Sequence, residues 1–250
     1  MLSKDFIRDY AKEIISIDKN LFEIFYDNDE NKFIFGNMSP QKENEINKWF
    51  KCRALHLTAW DLMCKIGMSY GAISSLDLEA IEKDYEPCTP VTKEEFGLFY
   101  YLENIIYRQI TLWDLLAQFY NIHYNINLDI KQIEYKRFFN NYSKKNFGDI
   151  KIISDYVRFD TDCENIKTHQ YISEYRNSLT HRISDSVPSM SNIGVHIKEH
   201  PINLIEYLIE DLKQFQVFYH NLLEDILSEQ NVQQLLDIML SRENIGIIKF

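Results

Sequence analysis

Apolar residues recur at helical spacing along most of the chain. Phe6, Ile7, Tyr10, Ile14, Ile17, Leu21, Ile24 and Phe25 fall near one stripe, which predicts a helix over residues 3–27. The run from Asp27 to Pro40 breaks the pattern, with a short extended piece expected at Lys32–Phe35. Ser39 followed by Pro40 reads as an N-cap and first helical position. The helix it opens should reach about Tyr70 and be ended by Gly67 and Gly71. Ser74 or Ser75 would cap a shorter helix to Asp84, and Pro87 and Pro90 interrupt. Thr92 with Glu95 three residues on is a capping-box pattern, opening the longest helical stretch, to about Tyr124. Residues 127–160 read as shorter helices joined by loops. A further helix is expected from Asp162 to Arg182, then a polar loop holding Asp185, Pro188 and Gly194. Pro201 starts the last long helix, which runs through Leu222 and Ile226 towards Leu240.

This pattern predicts an all-α protein with under a tenth of its residues in strands. The TxWDL echo at Thr58–Leu62 and Thr111–Leu115 is too short for a duplication, but could mark two packed helices with similar core contacts.

Composition narrows the class. Hydrophobic residues make up 45% and charged residues 26%, which excludes a disordered chain. Only 7 Gly and 5 Pro in 250 residues leave too few turn formers for a sandwich or barrel. No run of apolar residues is long enough to span a membrane, and the start lacks an apolar signal region, so a cytoplasmic protein is expected. Cys52, Cys64, Cys88 and Cys163 fit neither a zinc ribbon nor a redox pair, and reduced thiols are expected. His196 and His200 are four apart, but Gly194 and Pro201 place a helix boundary there, so neither a metal site nor a cofactor is expected.

The net charge of −11 repels nucleic acid on average. Lys131–Lys151 runs against that trend, with Lys131, Lys136, Arg137, Lys144, Lys145 and Lys151 against Glu134 and Asp149. It also carries Tyr135, Phe138, Phe139, Tyr142 and Phe147. Cations can pair with phosphates and rings can stack on bases. The plainer reading is a solvated segment whose rings pack on the core.

One constellation carries chemistry. Residues 174–182 read Glu-Tyr-Arg-Asn-Ser-Leu-Thr-His-Arg, so Arg176 is followed by Asn177 and, after four intervening residues, by His181. No other arginine in the chain has a histidine at such a spacing. This resembles the signature of the HEPN superfamily, in which Arg, four to six residues and then His lie on a late helix of a four-helix domain. The resemblance implies a HEPN-like four-helix up-and-down bundle over about residues 40–242, with residues 1–38 as an N-terminal helical extension and 127–160 as an insertion. It further implies that Arg108 and Asp114 stand on the partner helix. It implies a metal-independent endoribonuclease, of a toxin–antitoxin or phage-defence system, acting as a homodimer with an antitoxin or regulatory partner. Some members only bind partners, so a non-catalytic interaction module is the alternative.

Those residue types suit that chemistry. Cleavage through the RNA 2′-OH needs a base, an acid and a cation for the phosphate. His181 can do proton work near neutrality, and Arg176 binds phosphate oxygens through its fork. Asn177 and Asp114 complete the candidate catalytic set, and Arg108, Lys136, Arg137, Lys144, Lys145 and Arg182 are candidate RNA contacts. On an ideal helix Arg176 and His181 lie about 140° apart, whereas Asn177 and His181 share a face. A helix end nearby, or a wrapping arginine, would be needed to join them. Otherwise Arg176 could pair with Asp114 or Glu103 as a structural ion pair.

Overall fold

The computed structural model describes residues 3–22, 26–27, 32–36, 45–158, 166–181, 189–191, 194–196, 200–228, 230–232 and 245–249. Helices dominate: α1 (Lys4–Ile15), α2 (Glu45–Ile73), α3 (Leu78–Asp84), α4 (Lys93–His123), α5 (Tyr135–Tyr142), α6 (Ile150–Arg158), α7 (Ile166–His181) and α8 (Pro201–Ile226). Five short strands accompany them: β1 (Tyr26–Asp27), β2 (Lys32–Gly36), β3 (Ser189–Ser191), β4 (Gly194–His196) and β5 (Ile245–Lys249). β2 pairs antiparallel with β1 and β5, joining an N-terminal segment to the C-terminal end. β3 and β4 form a hairpin.

The long helices α2, α4, α7 and α8 make an up-and-down bundle. Gln109, Trp113 and Phe119 of α4 meet Asp211, Phe215 and Tyr219 of α8 in rising order, so these two helices run parallel. His169 and Tyr171 of α7 meet Asp211 and Tyr207 in falling order, so α7 runs the other way. Trp113, Leu116, Phe119, Leu208, Leu212 and Phe215 are fully buried between them. Each such side chain contributes about 1.5–3 kcal/mol by leaving water.

Local signals explain most boundaries. The capping box at α4 is complete, since the Thr92 backbone N–H donates to Glu95 Oε2 at 2.7 Å and the Glu95 N–H to Thr92 Oγ1 at 3.2 Å. Pro201 sits in the first turn of α8, where its missing N–H costs nothing.

Five boundaries depart from the sequence reading. α1 stops at Ile15 rather than near residue 27, because the Ser16 hydroxyl donates to the Glu13 carbonyl at 2.7 Å and Asp18 then accepts from the Asn20 backbone in a tight turn. Phe22 remains buried, packed edge-on against Trp49, so the apolar stripe continues without the helix. α2 runs through both Gly67 and Gly71 instead of ending there. A Cβ on Gly67 would lie 2.7 Å from Ile15 Cγ1 and 2.9 Å from the Ala11 carbonyl, so this glycine lets α1 cross close to α2. α3 is capped by the side chain of Asp77, not Ser74 or Ser75. The loop before α8 holds the β3–β4 hairpin. α8 ends at Ile226, where the Leu227 backbone N–H donates back to the Leu223 carbonyl, instead of running on towards Leu240. The Ser39–Pro40 start of α2 and residues 233–240 lie outside the described residues. The TxWDL echo does lie on packed helices, but Trp113 is fully buried whereas Trp60 is half-buried beneath the Lys19 ammonium.

Candidate functional site

α7 carries the Arg176–His181 motif, and its helix persists through His181. The two residues therefore stay about 140° apart around the axis, and no helix end intervenes to bring them together. His169, Ser173 and Asn177 follow at four-residue spacing and form a polar ladder that turns from the buried side of the helix at His169 to the exposed side at Asn177. Arg176 lies half-buried beside it and donates from Nη1 to Asn177 Oδ1 at 3.2 Å. The side chain of His181, and the whole of Arg182, lie outside the described residues.

Asp114 of α4 faces this helix. Its Oδ1 accepts the Tyr135 backbone N–H at 3.1 Å. Burial, with some help from Glu134, pushes its carboxyl up to about 6, against the opposing pull of the Tyr135 N–H and the Arg176 charge. Arg176 thus acts electrostatically on Asp114, one of the two acidic residues the sequence offered it.

The start of α5 adds a third side. Lys136 Nζ donates to Ser173 Oγ at 2.7 Å, one turn before Arg176 and Asn177. Burial holds this ammonium below the ordinary lysine range, and Glu134 and Glu174 pull it part of the way back. Asp114, Lys136, Arg176 and Asn177, separated by up to 63 positions, are thereby drawn towards one region from α4, α5 and α7.

The other candidates are placed less tightly. Arg108 turns back along its own helix, donating to the Asn104 carbonyl at 2.7 Å and to its side-chain oxygen at 3.0 Å. Arg137, Lys144 and Lys145 are exposed. The aromatic residues of that basic stretch point inward: Tyr135, Phe138 and Phe139 are buried, and Tyr142 and Phe147 pack half-buried on the core. Its rings are therefore core, as in the plainer reading, while Arg137, Lys144 and Lys145 face solvent and Lys136 is half-buried.

Beneath the ladder lies a polar network that sequence reasoning missed. Asp211 of α8 is 0% exposed. Its Oδ2 accepts Gln109 Nε2 at 2.6 Å and Trp113 Nε1 at 3.1 Å. Its Oδ1 accepts the Tyr156 hydroxyl at 3.0 Å and His169 Nδ1 at 2.7 Å. Burial pushes this carboxyl up, but His169 and the donors Trp113 and Gln109 outweigh it and hold Asp211 below the usual range. His169, also 0% exposed, meets the Tyr135 hydroxyl through Nε2 at 2.9 Å. The available signal was a carboxylate at residue 211 inside the apolar stripe Leu204, Leu208, Leu212 and Phe215.

A cleft of about 530 Å³ lies elsewhere, between the first turns of α2 and the segment after α4, and none of the motif residues lines it. Among the described residues no His, Cys, Asp and Glu group could hold a metal ion, and no helix is long and apolar enough to cross a membrane. His200 caps α8 without a side-chain bond to it, and His196 closes β4.

No curated protein and no solved structure matches the chain. A family model for Cthe2314-like HEPN matches residues 81–231, a span that takes in α4 to α8 and with them Asp114, Lys136, Arg176, Asn177 and His181. With the helical bundle and the Arg-x4-His helix in place, this match over more than half of its length makes the chain a member of the HEPN superfamily.

Proposed function

We propose that this protein is a metal-independent endoribonuclease that uses the RNA 2′-OH as its nucleophile. The observation that carries the reading is the Arg176–His181 helix set against Asp114 in a HEPN bundle. In this reading the 2′-oxygen forms a bond to phosphorus while the bond from phosphorus to the 5′-oxygen breaks. One group takes the 2′ proton and another returns a proton to the leaving oxygen, giving a 2′,3′-cyclic phosphate and a 5′-hydroxyl. His181 is the proton carrier. Asp114, with its carboxyl near 6, is poised to exchange a proton at neutral pH, and Arg176 steadies the phosphate charge.

The helical separation of Arg176 and His181 favours a homodimer, in which one groove presents Arg176 from one copy and His181 from the other. Lys136 and Arg108, with the exposed Arg137, Lys144 and Lys145, would bind RNA flanking the cut. Arg182 would extend that set. A toxin–antitoxin or phage-defence role, with an antitoxin or regulatory protein as partner, belongs to the same proposal.

The test is cleavage by the purified protein. RNA should be cut and DNA of the same sequence should not, EDTA should not inhibit, and the product should end in a cyclic phosphate. Arg176→Ala and His181→Ala should each cost about a hundredfold or more. Expression should arrest growth, and either variant should relieve the arrest. One observation favours a second reading, a non-catalytic interaction module: Arg176 is already engaged within the fold, by Asn177 and Asp114. Parent protein that cuts no RNA, or folded alanine variants that cut as well as the parent, would establish that second reading instead.

A further inference from the structure

The cleft of about 530 Å³ between α2 and the chain after α4 plays no part in the chemistry above. Its volume is that of a small-molecule site. One wall is held by specific bonds. Asn121, buried near the end of α4, accepts the Leu128 backbone N–H through Oδ1 at 2.9 Å and donates from Nδ2 to the Leu128 carbonyl at 3.1 Å. The Ile126 backbone N–H donates to the Asn121 carbonyl at 3.0 Å. Between these anchors Asn125 and Asn127 take positive φ values of 53° and 61°, which few residue types other than glycine tolerate. The chain is thereby folded back into a preformed wall.

Three kinds of group line the space. Lys48 and Lys51 stand on one face of α2 in its first two turns, where the helix N-terminus adds positive potential. Leu55 of α2, with Ile122 and Leu128 from the other wall, supplies apolar surface. Asn47 and Asn125 supply amides, each carrying both donors and an acceptor. The acidic residue in the lining, Asp129, has its Oδ1 engaged by the Lys131 backbone N–H at 3.1 Å.

We propose that this cleft binds a nucleoside 5′-phosphate, free or as one nucleotide of an RNA strand. An inorganic anion would meet the lysines and leave the apolar walls wet. A fatty acid would lay its chain against the amides and leave them without partners. A nucleoside phosphate engages all three kinds of group: its phosphate meets the ammonium groups, its flat base lies against Leu55, Ile122 and Leu128, and the base edge pairs with an amide. The assignment does not rest on the ribonuclease reading, but its place bears on it. Asn121 stands seven residues after Asp114, about 10 Å along α4 and on the same face. The chain returns along that face, held by Asn121 at Leu128 and by Asp114 at Tyr135. The cleft is therefore within reach of a strand bound at Asp114.

The experiment titrates the full chain, labelled with nitrogen-15, with each ribonucleoside 5′-monophosphate, with the matching nucleosides and with inorganic phosphate. The backbone N–H signals of Lys51 and Leu128 should shift with at least one monophosphate, at a Kd below about 1 mM. Inorganic phosphate and the matching nucleoside should each bind about tenfold more weakly or worse, because each offers only part of the contacts. Lys51→Gln, at an exposed position, should weaken the monophosphate about tenfold. Asn125→Gly keeps the positive φ, which glycine adopts without strain, and removes only the amide. It should lower the preference among bases about tenfold. No shift at these signals with any monophosphate at about 10 mM would overturn the site. So would inorganic phosphate that binds as tightly as the nucleotide, or folded Lys51→Gln and Asn125→Gly proteins that bind like the parent. If one variant fails to fold, the other still decides. A short single-stranded RNA, 2′-O-methylated so that it is not cut, separates the two sources. Displacement of the monophosphate assigns the cleft to the RNA strand, and a monophosphate that stays bound assigns it to a free nucleotide. If the parent binds the monophosphate and cuts no RNA, the ribonuclease reading falls and the cleft stands. If the parent cuts RNA and binds no monophosphate, the cleft falls alone.

Discussion

Replacing Asp211 by Asn tests whether the buried network is ionic. The change keeps the shape but removes one acceptor oxygen and puts an NH2 group in its place. Two donors converge on each carboxylate oxygen, Gln109 and Trp113 on Oδ2, Tyr156 and His169 on Oδ1. An amide can satisfy only one of these pairs. If its oxygen serves His169 and Tyr156, its NH2 faces Gln109 and Trp113. Gln109 can rotate its amide, at the expense of its bond to the Leu208 carbonyl, but the indole N–H of Trp113 is fixed in a fully buried ring. Each stranded buried donor costs about 1–3 kcal/mol. Hydrogen bonds to a charged group are worth about 1.5–3 kcal/mol each, so losing two of them puts the whole change at about 3–5 kcal/mol.

Urea unfolding at pH 7 measures it. With a slope of roughly 3 kcal/mol per molar, the midpoint should fall by about 1–1.5 M. The pH dependence gives an independent check. The folded-state pKa of Asp211 lies below the unfolded value, so its contribution is full above the unfolded value of about 3.9. It is lost as pH falls through the folded value. Asp211→Asn should therefore flatten the acid limb of the stability curve below about pH 4. A midpoint shift under about 0.3 M with an unchanged acid limb would refute an ionised, network-forming Asp211.

Other outcomes follow from single positions. Gly67→Ala should cost about 1–3 kcal/mol, seen as a fall in Tm, because its new methyl meets Ile15 and the Ala11 carbonyl, whereas Gly71→Ala enters open space and should be neutral or slightly stabilising. Asp114→Asn should stabilise the protein at pH 8 by about 1 kcal/mol once partial exposure is discounted, and by nothing near pH 4. The sign follows because a carboxyl raised to about 6 gives up its stability contribution as pH rises through 6, and equal effects at both pH values would count against it. Reversing the exposed Lys144 and Lys145 to Glu should weaken RNA binding and reduce its salt slope by about 1–2, and unchanged binding would make that stretch a solvated segment only.

Much of the bundle was legible because its signals are local. The Thr92–Glu95 box and Pro201 mark helix starts through backbone chemistry that needs no partner. The extended piece at Lys32–Phe35 appears as β2, Lys32–Gly36. Gly67 was misread because the sequence shows that glycine lacks a Cβ, not which helix comes close enough to need that gap. Ile17 and Leu21 kept the apolar period past Ser16, so the period outlasted the helix it implied. The motif on α7 could be read in one dimension, since its residues lie on one helix. Lys136 and Asp114 came in as separate candidates, and only the turn at Glu134–Tyr135 brings them to α7.

The buried network explains why that turn sits where it does. Trp113 and Asp114 are adjacent on α4 and point into different environments: the indole donates to Asp211 in the core, and the carboxylate accepts the Tyr135 N–H at the margin. Tyr135 mirrors this, with its main chain at the margin and its hydroxyl on His169 in the core. Two consecutive residues of α4 and one of α5 thus lock the same pair of layers together. A core made only of leucine and phenylalanine would let α5 slide along α7 at little cost, because apolar contact is not directional. Hydrogen bonds with fixed donors are directional, and a mismatch strands a buried group. The cost of burying Asp211 and His169 is therefore offset by a fixed register between α4, α5, α7 and α8, and that register sets where Lys136, Asp114 and Arg176 stand relative to one another.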